Sequence, residues 1–269
     1  MKRPTLIAAA LATLALSPAL AHAEPLTDVA EIIERANLAS YYAGNDGRSE
    51  ARMAIEDAQG RTQLRQFTVL RRNREAGGDQ DFMVFFSRPS DVRGTVFLVA
   101  KHVDRDDDRW LYLPGLDLVR RISAGDKRTS FVGAHFFYED VSGRHPADDT
   151  HELIETTDEH YVVQSMPKSP GSVEFERYVT RIDRNTFLPM KAEYYDGRDR
   201  VYRVMEVLGV EKISGFPTVT RSRISDPVNG GHTLMEFRYM EYDVGLPREI
   251  FSERYLRNPP VEWLRRSGN

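Results

Sequence analysis

Residues 82–100 read FMVFFSRPSDVRGTVFLVA. Two apolar runs flank a short polar turn at Arg88-Pro89-Ser90-Asp91, the pattern of two antiparallel strands. Side chains of a strand alternate between faces, yet here both faces are apolar. Phe82, Val84 and Phe86 point one way, Met83 and Phe85 the other. In the second strand Val96, Leu98 and Ala100 oppose Phe97 and Val99. Each face needs a cover, and what supplies the second one is the question the sequence poses.

Working outward, strand signals dominate on both sides. SEARMAIEDAQGRTQLRQFTVLRR (49–72) reads as a hairpin turning near Ala58-Gln59-Gly60, with Met53 and Ile55 facing Phe67 and Val69. In VDRDDDRWLYLPGLDLVRRI (103–122) a charged turn precedes a strand at 109–113, and Pro114-Gly115 turns into a segment ending at Ile122. Further strands are predicted at 161–166, 173–183, 188–196, 200–210, 217–225 and 232–243, joined by short turns such as DGRD (196–199) and SGFP (214–217). Such turns imply antiparallel pairing. In TLMEFRYMEY (233–242), Met235, Phe237 and Tyr239 share one face, Glu236 and Arg238 the other. Only one firm helix is expected, at the start, with Thr27 as cap and Val29, Ile32, Ile33 and Ala36 at helical spacing. Region 123–160 reads as an irregular loop with short helical pieces near 136–141 and an aromatic knot at Phe131, Phe136, Phe137 and Tyr138.

The fold class is therefore mainly β. Roughly ten or eleven antiparallel strands curl into an incomplete barrel, with an N-terminal helix and the mid-chain loop on its concave side. Those pieces are too few to fill the concavity. The second apolar face of 82–100 is expected to meet either them or a bound apolar ligand. For Trp110 and Tyr112 an ordinary core role weighs about as much as a cavity role, since apolar strands are usually core.

The first residues, MKRPTLIAAALATLALSPALAHA, combine a basic start (Lys2, Arg3), an apolar run from Leu6 to Leu16 and a small-x-small end at Ala21-His22-Ala23. That pattern is a secretory signal peptide cleaved after Ala23, with a run too short to span a bilayer. Removing 23 residues from 269 leaves 246, and losing Lys2 and Arg3 takes the formal charge from −4 to −6. The expectation is an exported, periplasmic protein with one domain over 24–269. An acidic balance argues against nucleic-acid binding. The absence of cysteine excludes disulfides, thiol nucleophiles and thiolate metal sites.

No catalytic constellation stands out. HPADDTHE (145–152) lacks metalloprotease spacing, DRDDDR (104–109) lacks the calcium-loop glycine, and no G-x-S-x-G elbow or phosphate-binding glycine loop occurs. The reading is a non-enzyme with no cofactor and no metal.

At RGTVFLV (93–99), WLYLPGLDLVRRI (110–122) and above all KRTSFVGAHFFYEDV (127–141), the sequence resembles the outer-membrane lipoprotein-sorting family related to LolA/LolB-type carriers. The resemblance continues through RYVTRIDRNTFLPMKAEYYD (177–196) to TLMEFRYMEYDVGLPREIFSERYLR (233–257). It implies a half-barrel lidded by helices over a hydrophobic cavity. It also implies a role in outer-membrane biogenesis, the transport of lipid or acylated lipoprotein cargo between membranes. An inner-membrane exporter of the resistance-nodulation-division (RND) type is the partner it suggests, and the carrier is expected to be a monomer. A periplasmic lipid-sensing regulatory module of the same fold is the alternative; such sensors append a second domain, for which NPPVEWLRRSGN (258–269) leaves no room.

Strand parity then proposes a cavity lined by Met83, Phe85, Phe97, Val99, Leu111, Leu113, Met235, Phe237 and Tyr239, with Phe131, Phe136, Phe137 and Tyr138 as its lid. A register change of one residue would exchange each set for its neighbours. Glu139 and Asp140 are expected to anchor the lid through Arg120 or Arg121.

Overall fold

A computed structural model describes residues 24–264. The signal-peptide expectation falls on residues 1–23 and lies outside the described residues. None of the described helices is long and apolar enough to cross a membrane.

Thirteen strands form one antiparallel sheet that does not close. They are β1 (Asp46–Glu56), β2 (Thr62–Asn73), β3 (Gln80–Arg88), β4 (Val96–Lys101), β5 (Asp108–Leu113), β6 (Leu118–Ile122), β7 (Asp149–Thr156), β8 (His160–Pro167), β9 (Arg177–Asp183), β10 (Pro189–Tyr195), β11 (Val201–Ile213), β12 (Phe216–Ser225) and β13 (His232–Tyr242). The order is β6-β5-β4-β3-β2-β1-β13-β12-β11-β10-β9-β8-β7. Every link but one is a hairpin between neighbours, and the long-range pairing of β1 with β13 joins the two halves of the sheet. The exception joins β6 to β7, the two free edges, and residues 123–148 must therefore cross from one rim of the sheet to the other. That connector carries the aromatic knot and a short helix α2 (Tyr138–Ser142), where the sequence predicts helical pieces. β7 is an edge strand within the region expected to be an irregular loop.

The N-terminal helix α1 (Val29–Tyr41) is capped by Asp28, whose carboxylate accepts the N–H of Ala30 at 2.9 Å, rather than by Thr27. Asp28 is the last extended residue, so its side chain reaches the free N–H groups of the first turn. Ile32 and Ala36 are buried against Tyr161, Val163 and Ile182, so α1 covers the β8–β9 part of the sheet.

The register resolves the two faces of 82–100. Phe82 stands opposite Val99, Val84 opposite Phe97, Met83 opposite Leu98 and Phe85 opposite Val96. Directly opposed residues share a face. Phe82, Val84, Phe86, Phe97 and Val99 join Leu111, Met53, Phe67, Met235 and the connector's Phe131 and Tyr138 in one core. Met83, Phe85, Val96 and Leu98 join Leu70 in a second core on the opposite face. Its cover is the chain's own end: Leu246, Ile250, Phe251 and Leu256 are buried there, with Trp263 and Leu264 of the last helix packed alongside. This corrects the expectation that the second face meets the lid or a ligand.

Three polar clamps hold that segment down. The buried Asp46 carboxylate accepts the N–H groups of Val244 (2.7 Å), Gly245 (3.0 Å) and Leu246 (2.8 Å). Arg72 donates to the Leu246 carbonyl. Arg48 donates to the carbonyls of Trp263 (3.0 Å) and Leu264 (3.1 Å).

Candidate functional site

Where α1 ends, the concave face is left partly unfilled. A cavity of about 250 Å³ lies between β1–β3, β13, the C-terminal turn of α1 and the connector. Its floor is Phe67, Val69, Phe82, Val84, Met235 and Phe237; Phe131, Phe136 and Val141 roof it; Tyr41 and Arg71 stand on its wall. Phe67 and Phe86 pack at 5.0 Å beneath one side of it.

The proposed lining divides three ways. Met235 and Phe237 line the cavity. Phe97, Val99 and Leu111 lie on the same face, and Leu113 packs against that core, but these positions are filled by the connector rather than open. Phe131, 2 % exposed, sits 5.4 Å from Phe97 and 5.7 Å from Phe86. Tyr138 lies 5.1 Å from Phe97. Met83 and Phe85 are corrected to the opposite face, because β3 is in register with β4 such that the even-numbered residues turn inward. Tyr239 is likewise corrected. It lies in a bulge opposite Arg48–Glu50, has φ of 51°, and is 51 % exposed, so the alternation that aims Met235 and Phe237 inward breaks there. Phe82, Val84, Phe67, Val69 and Arg71 are among the lining residues that strand parity did not propose. Phe82 and Val84 are the parity partners of Met83 and Phe85, recoverable from Phe97 once the pairing is known.

The four aromatic residues of the knot also separate. Phe131 and Tyr138 plug the barrel floor and Phe136 meets the cavity. Phe137 is corrected away from it: its ring lies between cations, 5.0 Å from the Arg128 guanidinium and 4.4 Å from that of Arg203.

Charge fixes this plug in place. Glu139, 2 % exposed, pairs with Arg128, with Lys127 at 3.4 Å and with Arg144 at 3.6 Å. Asp140 pairs with the buried Arg203 and accepts the Phe137 N–H at 2.6 Å. The expected anchors Arg120 and Arg121 are engaged elsewhere, with Asp126 and Asp108. Arg128 and Arg144 extend the network to Glu174 and Asp149, each at 2.7 Å. Hydrogen bonds and charges on Arg128 hold the Glu174 carboxyl below its usual range against the opposing effect of burial.

Beyond α2 the plug is tied by Lys101. Its Nζ donates to the Ser142 carbonyl at 2.8 Å and lies 4.8 Å from the Tyr41 ring. Burial pushes its ammonium down to about 8; Asp107 opposes that shift and Arg109 adds to it. Because the folded value is below the unfolded 10.5, the unfolded chain holds more protons between these pH values and stability rises with pH there. At about 1.4 kcal/mol per pH unit, the gain attributable to Lys101 is roughly 2–3 kcal/mol from pH 8 to 10.5. Urea melts at pH 7.5 and 10, differenced between wild type and Lys101→Met, should show this rise in the wild type only. Parallel pH profiles would place the charge in solvent.

The comparisons agree with this geometry. A model of an uncharacterized protein family matches residues 78–258. No match is found among curated proteins. Among solved structures, a DUF1329 family protein from Desulfovibrio piger is 31 % identical, with a TM-score of 0.76 over 84 % of this chain and 98 % of its own. A domain named for outer-membrane lipoprotein sorting, from Vibrio parahaemolyticus, is 24 % identical with a TM-score of 0.76, over 84 % of this chain and 97 % of its own. A LolA superfamily protein from Nitrosomonas europaea is 20 % identical with a TM-score of 0.66, over 86 % of this chain and all (100 %) of its own. The last two establish the fold, an open antiparallel half-barrel with few helices. With the family match over more than half its length and a solved member at this identity, the chain belongs to the DUF1329 family, built on the LolA-like fold.

Proposed function

We propose that the protein is a periplasmic carrier that binds lipid or the acyl chains of a lipoprotein in the concave cavity and moves them between membranes. The observation that carries this reading is the half-open, largely apolar space of about 250 Å³ left between the sheet and the connector that crosses it. Burial of each methylene there favours binding by ~0.8 kcal/mol, so a chain of several carbons has ample driving force. The fold shared with a domain named for lipoprotein sorting supports the same role. No chemical step belongs to it. A single domain over 24–269 would act as a monomer, with an RND-type exporter of the inner membrane as the donor or acceptor of cargo.

Native mass spectrometry of the protein purified from its own periplasm, followed by organic extraction, tests the reading. A discrete lipid or acylated peptide in near-stoichiometric amount is expected. Protein recovered empty that also refuses a fluorescent fatty acid would remove the carrier role.

A further inference from the structure

The cavity is apolar along its floor and roof, but its wall holds a cation. Arg71 is the β2 residue opposite Gly47 and Phe82, on the concave face. Its Nη1 donates to Asn73 Oδ1 at 2.6 Å, and its Nη2 to the Ala43 carbonyl and, at 3.4 Å, to that of Gly44. These acceptors are all neutral. Among the described residues no carboxylate lies within ion-pair distance of this guanidinium. The nearest acids are committed: Asp46 accepts three backbone N–H groups, and Asp243 accepts the backbone and side-chain N–H groups of Asn45. Burial lowers the Arg71 pKa, and the partial compensation from Tyr242, Asp46, Asp243 and Tyr42 does not reverse it.

The other charges bordering the cavity are satisfied or turned away. Asp140 is paired with Arg203. Arg48 is paired with Glu50 at 3.0 Å and reaches the opposite face through Trp263. Glu241 stands opposite Arg48 in the register, so alternation sends its side chain outward with that of Arg48. A half-buried cation without a counter-charge is costly unless water or a ligand supplies one.

We propose that the cavity takes a single acyl chain ending in an anionic head group, with Arg71 as the residue that receives the anion. This rests on the carrier reading and narrows it. The volume is below the ~300–1,000 Å³ of drug-sized sites, which suits one chain rather than two. A carboxylate or phosphate would accept from a guanidinium already held in place by three protein acceptors, so little side-chain freedom is lost on binding.

The test compares dodecanoate, dodecanol and dodecyltrimethylammonium by calorimetric titration at one pH and salt concentration. The wild type should bind dodecanoate at least tenfold tighter than dodecanol, and the ammonium weakest. Arg71→Gln should bring dodecanoate down to the affinity of dodecanol while leaving dodecanol unchanged, which also shows the variant is folded; Arg71→Lys should keep part of the preference. If Arg71→Gln does not fold, the wild-type ranking of the three heads still decides. Equal binding of dodecanoate and dodecanol would overturn the head-group assignment and leave the carrier reading standing. Binding of none of the three would remove both.

Discussion

Truncation after Asp243 is expected to leave no folded protein. The residues removed carry no strand period in sequence, but they bury Leu246, Ile250, Phe251 and Leu256 against Leu70, Met83, Phe85, Val96 and Leu98. Fully burying a large apolar side chain contributes ~1.5–3 kcal/mol. Four of them contribute about 6–12 kcal/mol, the size of the whole stability of a typical domain, about 5–15 kcal/mol. Five apolar side chains of the sheet would also be left facing water, on strands at the centre of one half of the barrel. Far-UV circular dichroism and the soluble yield of the truncated chain measure the effect. Leu256→Ala is the graded version: it should cost ~2–5 kcal/mol and leave amphiphile binding unaltered, because it acts on the face away from the cavity. A truncated chain that still melted cooperatively at the wild-type temperature would show that the second face does not depend on this cover.

That result also marks where sequence reading stops. Apolar periodicity and turn signals located eleven of the thirteen strands to within a few residues, since both are local information. The N-terminal helix was legible through its own local period, with Ile32 and Ala36 at helical spacing. What 246–264 covers was not legible, because Leu246, Ile250 and Leu256 carry no strand period and their partners lie far away in sequence. The site failed at register. Phe97 and Met83 look alike in sequence, and only the pairing of Val84 with Phe97 shows that they face opposite sides. Tyr239 failed for a different reason: a bulge interrupts β13 after Phe237 has been aimed inward. Glu139 and Asp140 were recognisable as anchors, but their cations come from the connector itself and from β11, not from the neighbouring β6.

Glu139→Gln should be the most damaging conservative change in the connector, at a cost of ~3–5 kcal/mol. The amide keeps the shape of the side chain and removes its charge. Lys127, Arg128 and Arg144 would then converge on a neutral group, with Glu174 and Asp149 the close partners left to the two arginines. Because Glu139 is 2 % exposed, salt should restore little of the loss, as screening acts mainly on exposed charges. The exposed helix pair of Glu31 and Arg35 provides the scale: Glu31→Gln should cost no more than ~0.5 kcal/mol. Loss of the anchor should also loosen the plug before the sheet unfolds, since Phe131 and Tyr138 are delivered to Phe97 by the same short segment. Binding of a hydrophobic dye below the unfolding transition reads that step. Dye binding by Glu139→Gln with an intact circular dichroism spectrum would mean that charge holds the connector over the cavity. A cost no larger than that of Glu31→Gln, with no dye bound, would mean that the aromatic contacts hold it alone, and the ion network would then only keep buried charges compensated.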